Sequence, residues 1–265
     1  MNVFIREMRG NLKSLIIWSI SMWLLVLVGM VKYLGIAAAG GASVELFKAM
    51  PESLKAIFGL SGVDVTSVGG FYSIFFLYFV LLATIHSGML GATIISKEER
   101  DRTADYVFAK PRTRGGIITG KLFALLANIL VLNIVTLVSS ITTVAMYNKG
   151  ESLNGKIVTM MAALFILQIL FAAIGLLASA LTGNSKKATS VTTFVILAAY
   201  SLSIAININK NLDILRPLTP FKFFEGVDIM NGKGMELNYI VLSGVISIVM
   251  IFAAIYFYRK KDIKV

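Results

Sequence analysis

Cysteine is absent from this 265-residue chain, and histidine occurs once. The first absence excludes disulfides and thiolate metal sites, and the second excludes a cluster of imidazole ligands around a metal. Charge is scarce too: Asp, Glu, Lys and Arg make up 15% of the residues, where a soluble domain carries about 25%. Hydrophobic residues account for 57%, and the mean hydropathy is +0.82. That balance argues against a water-soluble core and for a polytopic helical membrane protein. No Asp or Glu falls inside any of its long apolar stretches. A proton relay through the membrane, or an intramembrane aspartyl or metalloprotease, therefore lacks its groups.

Six stretches have about the 20 apolar residues a helix needs to cross a bilayer: 15–33, 71–95, 122–147, 157–181, 188–208 and 238–258. Trp18, Trp23 and Tyr33 are available as interfacial anchors of the first. Ala37-Ala38-Ala39 has the look of a signal-peptide cleavage region, but the apolar core before it is too long and Lys32 interrupts, so retention is expected. Residues 1–13 read as an amphipathic helix. Phe4, Met8 and Leu12, joined by Ile5, lie opposite Arg6, Arg9 and Lys13. Such a helix lies in the headgroup layer; the alternative is a basic flank to the first span.

The formal net charge of +11 suits either nucleic acid or a membrane surface, and its distribution favours the membrane. With both termini inside, the inner segments hold 16 Lys and Arg and the outer segments 9. The positive-inside rule then places the termini and residues 96–121 in the cytoplasm. The external segments are 34–70, Gly-rich with short helical pieces at 44–50 and 51–58, and 209–237. The latter is apolar for a loop: Leu212, Ile214, Leu215, Leu218, Phe221, Phe223 and Phe224 are interleaved with Pro217 and Pro220. Prolines forbid one continuous helix. Short helices dipping back into the outer leaflet, or an ordinary surface loop, both fit.

Segment 96–121 is the longest charged run. It holds seven bases (Lys97, Arg100, Arg102, Lys110, Arg112, Arg114, Lys121) and four acids (Glu98, Glu99, Asp101, Asp105). A tether to anionic lipid needs no acids, so charge of both signs points to a folded surface against which another protein docks. Residues 115–121 fit G-x-x-x-x-G-K, but Leu122 stands where a magnesium-binding Ser or Thr belongs, and no strand precedes the run. The match is accidental, and the chain is not expected to hydrolyse a nucleotide.

His86 is flanked by Thr84, Ser87 and Gly88 inside the second span. An intramembrane ionisable group is a functional candidate; the other reading is a neutral imidazole bonded to a neighbouring helix. Asn128, Asn133, Gln168 and Asn207 either bond across helices or, with His86, line a translocation path. Ala172, Ala173, Gly175, Ala178 and Ser179 give the fourth span a small-residue face suited to close packing.

Three runs resemble the ABC-2 type permeases, membrane subunits of ATP-binding cassette transporters. The first is the acidic pair Glu98-Glu99, then Thr103 and Asp105, Pro111-Arg112-Thr113-Arg114 and Gly120-Lys121. It is similar to the family's E, G-T-x-E/D, P-x-S/T-R and G-K series, with Arg102 where glycine usually precedes the threonine. The second is Leu218-Thr219-Pro220-Phe221-Lys222-Phe223-Phe224 before the last span, and the third the basic-basic-Asp-aliphatic tail Lys260-Lys261-Asp262-Ile263. The six-span layout matches over essentially the whole length.

The resemblance implies an all-α membrane protein forming one permease domain over 1–265, with an N-terminal amphipathic helix. It also implies a coupling helix between spans two and three and re-entrant helices before span six. Tyr106, Val107 and Phe108 would seat in a groove of an ATPase, while Glu98, Glu99, Thr103, Asp105, Pro111, Arg112 and Arg114 shape and orient the element. Two ATPase subunits, a second permease copy or paralogue, and the lipid bilayer are the implied partners, with no nucleic acid. ATP and Mg would sit on the ATPase and no cofactor on this chain. The expected activity is export of an amphipathic or apolar cargo, such as an antimicrobial peptide or drug-like compound, across a bacterial cell membrane. A secondary transporter or channel driven by an ion gradient is the alternative; it would show intramembrane acids and internal repeats. A membrane-embedded enzyme would need clustered carboxylates, a metal site or a Ser/His pair at matched depth.

Overall fold

A computed structural model of the chain describes residues 3–60, 62–97, 114–148, 150 and 152–260, and among these all regular structure is helical. The helices are α1 (Val3–Ala39), α2 (Gly41–Ala49), α3 (Glu52–Phe58), α4 (Val68–Ile94) and α5 (Arg114–Tyr147). They continue with α6 (Asn154–Thr182), α7 (Ser185–Ile208), α8 (Gly226–Met230) and α9 (Leu237–Lys260). Six of them, α1, α4, α5, α6, α7 and α9, are long and apolar enough to cross a membrane. In hydrocarbon only a helix satisfies every backbone group within its own segment, which is why each apolar stretch takes this form.

The amphipathic helix expected over 1–13 is not a separate element. From Val3 the chain runs without a break into the first span and on to Ala39. At 1.5 Å per residue this rod of 37 residues is about 55 Å long, against about 30 Å of hydrocarbon, so it projects well beyond the bilayer. No proline interrupts it, and ending a helix at residue 13 would strand backbone groups at each new terminus. At its other end, Ala37-Ala38-Ala39 favours continuation. Likewise α5 begins at Arg114, so the glycine-rich run 115–121 forms its first two turns rather than a loop.

The most enclosed helix is α6, and α9 is the least. Helices α4 and α6 share the largest contact, with α5, α7 and α9 also against α6, and α1 pairs chiefly with α5. A core of Met22, Phe76, Phe79, Met160, Leu167 and Phe171 fills the half of the bundle near α8. Between α6 and α7 the turn is minimal. Gly183, at φ 60°, ends α6 in the left-handed conformation glycine tolerates, and the Asn184 side chain accepts from the backbone N–H groups of Lys186 and Lys187 to start α7.

Residues 209–230 turn back into the bundle. Two 3₁₀ segments, Lys210–Leu218 and Pro220–Lys222, lead to α8. Phe221, Phe223 and Phe224 are buried, with Phe221 5.1 Å from Phe171 and Phe223 stacked on Tyr239 at 4.7 Å. An ordinary surface loop does not describe these three rings, although Ile214 and Leu218 are exposed. Val3 lies against Gly120, Lys97 against Gly10 and Arg259 against Gly115, so the start of α1, Lys97, the first turns of α5 and the last turn of α9 meet at one end of the bundle, here termed the basic end; α3 and α8 lie at the far end.

Candidate functional site

The residues that sequence assigns to ATPase coupling, Glu98, Glu99, Thr103, Asp105, Tyr106, Val107, Phe108, Pro111 and Arg112, lie outside the described residues, and Arg114 is described only as the first residue of α5. The structure does place the two anchors of that segment. Lys97 follows α4 by three residues and Lys121 lies two turns into α5.

Three hydroxyls secure the first anchor. Ser96 Oγ lies 2.7 Å from Ser185 Oγ and accepts from Ser179 Oγ at 2.9 Å, all three side chains buried. This knot joins the end of α4 to the end of α6 and the start of α7. The second anchor is Lys121, 1% exposed. Its Nζ donates to the carbonyl oxygen of Ile94 at 2.5 Å. That oxygen belongs to the last turn of α4, where carbonyls have no intrahelical donor and the helix dipole presents negative charge. A lysine of α5 thus caps α4.

Both lysines converge on one acid of α1. Glu7 is 2% exposed, with Lys97 Nζ 3.9 Å from its Oε2 and Lys121 Nζ 3.9 Å from its Oε1. Arg6 donates to Oε1 at 3.1 Å. Burial makes such a carboxylate tolerable only while it is paired, and removing one partner of a buried pair typically costs about 3–5 kcal/mol. The neighbouring packing is close. Gly10 lies so near Lys97 that a Cβ there would be 2.7 Å from Nζ, and Gly120 rests on Val3. Asn128 of α5 donates to Ala124 O at 2.7 Å and lies 3.1 Å from Met8 Sδ of α1.

Glu7 is not among the candidates drawn from the sequence above. The available signal was its position, one turn from Val3 and Phe4 and beside Met8, on the apolar side of α1, where a carboxylate must find a cation. Ser179 is marked in the sequence only as part of the small-residue face of the fourth span, and Ser96 and Ser185 carry no signal, because hydroxyls are common in helices of every kind.

The four candidates for a translocation path are not brought together. His86 is buried, its ring 5.4 Å from that of Trp18 on α1. Asn128 faces α1 as described. Asn133 donates to Met161 O at 3.0 Å and to Gln168 Oε1 at 3.1 Å, both on α6. Asn207, at the far end of α7, accepts from Lys222 Nζ. Lys222 is itself paired with Glu225 at 2.5 Å. Its carbonyl accepts from Arg216 Nε at 3.2 Å, and the Arg216 guanidinium lies 5.4 Å from the centre of the Tyr239 ring.

Comparison with curated proteins finds no match. The family model for ABC-2 family transporter proteins matches residues 1–263, nearly the whole chain and all six long helices. The chain therefore belongs to the ABC-2 transporter family, as a multi-pass membrane permease subunit of an ABC transporter that associates with ABC ATPase subunits.

Proposed function

We infer that the chain is the permease of an ATP-driven exporter whose basic end faces the cytoplasm and whose 98–113 segment is the lever on which a separate ATPase acts. One observation carries this reading: both anchors of the segment are locked into the bundle. The hydroxyl knot Ser96–Ser179–Ser185 ties the end of α4 to α6 and α7, and Lys121 ties α5 to the last turn of α4. A push on the segment therefore reaches α4 and α7 directly instead of being absorbed by a slack loop. The excess of bases at this end supports the orientation. Two ATPase subunits and a second permease, identical or paralogous, complete the transporter, with α4 and α7 tilting to open a path outward along the axis between the two copies.

The spans lack acids, and a pathway for charged solutes usually carries charge. This favours an amphipathic or apolar cargo, an antimicrobial peptide or drug-like compound. The test is uptake of a fluorescent amphipathic peptide into inverted vesicles holding the chain and its co-purifying ATPase. Changing Tyr106 and Phe108 to Ala should leave the chain in the membrane and ATP hydrolysis running while uptake falls at least tenfold. Uptake by the purified chain with no ATP-hydrolysing partner present would sink the lever.

A further inference from the structure

We propose that Glu7 is a positioning residue that makes α1 a third arm of the lever, so that load entering the 98–113 segment reaches α1 as well as α4 and α5. The proposal rests on the lever reading given above and adds to it a residue and a helix.

Three contacts join α1 to α4 and to Lys97 just beyond its end. Glu7 meets Lys97, Trp18 meets His86, and Gly29 meets Phe75, whose ring would lie 2.7 Å from a Cβ at that position. Each step along α1 is eleven residues, or three turns, which returns to the same face, and Phe75 and His86 are likewise eleven apart on α4. Helix α1 is therefore an antiparallel rod lying along α4 from the basic end to the far half of the bundle. The upper two are a pair of rings and a glycine against a ring. Only the lowest is ionic, and it includes α5 through Lys121.

Burial fixes what this ionic contact does. In a low-dielectric site an attraction between opposite charges is several times stronger than at a wet surface, and a buried carboxylate that loses its cations is strongly disfavoured. Lys97 stands just before the segment and Lys121 two turns beyond it, so moving both away from Glu7 either draws α1 along or leaves the carboxylate with Arg6 of its own helix alone. Because α1 is continuous from Val3 to Ala39, with no hinge between Glu7 and the membrane, displacement of its first turns tilts the whole rod. Met22, Val26 and Met30, buried in the core shared with α4 and α6, then move with it.

The chain's lack of cysteine permits a cargo-independent test. Spin labels on cysteines introduced at Leu77 and Ile208, toward the far ends of α4 and α7, report the ATP-driven change in distance in the chain bound to its co-purifying ATPase. In E7Q the ATPase should still co-purify and hydrolyse ATP, while the distance change falls at least fivefold. E7D, which keeps the carboxylate, should recover at least half of it. A full distance change in E7Q overturns the role of Glu7 and leaves the lever standing. No ATP-driven change in the unaltered complex overturns the lever itself, and Glu7 with it. Should E7Q fail to reach the membrane, Lys97→Met decides, since it leaves Glu7 with Lys121 and Arg6: a reduced distance change supports the assignment, and a full one refutes it.

Discussion

Gly175 of α6 packs directly on the carbonyl oxygen of Gly88 in α4: a Cβ at Gly175 would lie 2.2 Å from that oxygen and 2.8 Å from the backbone nitrogen of Ala92. The contact is reciprocal. A Cβ at Gly91 would lie 2.2 Å from the carbonyl oxygen of Ala172, so each helix presents glycine where the other presents backbone. Lipid tails are as apolar as the side chains, so helix association in a bilayer draws on such close packing more than on the hydrophobic effect. The crossing lies close to the Ser96 knot, and it supplies the rigidity that makes the end of α4 a usable anchor.

Gly175→Ala should therefore destabilise the protein by about 1–3 kcal/mol, the usual cost of overpacking, because the obstructing atoms are backbone and cannot rotate away. Gly91→Ala should behave the same way. Gly244→Ala in α9, where nothing lies within 4 Å, is the control: alanine is the better helix former, so stability should hold or rise. Thermal midpoints followed by size-exclusion in detergent measure all three. Equal midpoints for Gly175→Ala and Gly244→Ala would refute the close crossing.

At the far end, Lys222 joins three parts of the chain. Its Nζ donates to Asn207 of α7 and to Glu225 before α8, while Thr219 Oγ1 donates to Ala199 O at 2.7 Å and fixes the turn itself. Lys222→Met keeps the aliphatic stem and deletes the donor, leaving Glu225 with Arg216 alone at 4.0 Å. Glu225 is partly open to water, so the loss should be about 1–3 kcal/mol rather than the full cost of a buried unpaired charge. The same midpoint assay should show Lys222→Arg much less impaired than Lys222→Met. Equal losses would mean that size, not the bonds, holds the segment.

The six long helices were legible because hydropathy reports directly which lengths of chain lipid will accept. Their ends were not, for the same reason. Apolarity marks where hydrocarbon stops, whereas a helix stops where its backbone finds other partners. Lys13-Ser14 and Arg114-Gly115 both lie beyond the apolar stretches and both are helical. The small-residue face around Gly175 was readable from spacing, but its partner was not, since Gly88 stood out only as a neighbour of His86. Glu7 and Lys121 are far apart in sequence, and nothing in one chain's order of residues announces that they meet. The aromatic turn Phe221–Phe224 was recognisably in need of cover, and the structure supplies it from Phe171, Tyr200 and Tyr239.

The start of α4 carries a pH-dependent element outside the spans. Asp64 Oδ1 accepts from the Thr66 hydroxyl at 2.6 Å and from the Thr66 N–H at 3.0 Å. These bonds, the hydroxyl first, hold the Asp64 carboxyl below its usual value of 3.8 by favouring the ionised form. The Asp64 carbonyl in turn accepts from Ser67 Oγ, and Ser67 caps α4 by accepting from Gly70 N–H. A carboxyl depressed on folding contributes stability that is present above its unfolded pKa and is lost as pH falls through the folded one. Thr66→Val removes the hydroxyl and with it the largest cause of that depression. The thermal midpoint of Thr66→Val should accordingly lie below that of the unaltered protein at pH 6, by a small amount because Asp64 is mostly solvated. The gap should close as pH falls below 3.8 and through the lowered folded value, once the carboxyl is protonated in both. A gap that is constant with pH, or that widens in acid, would show that Thr66 stabilises the turn by packing alone.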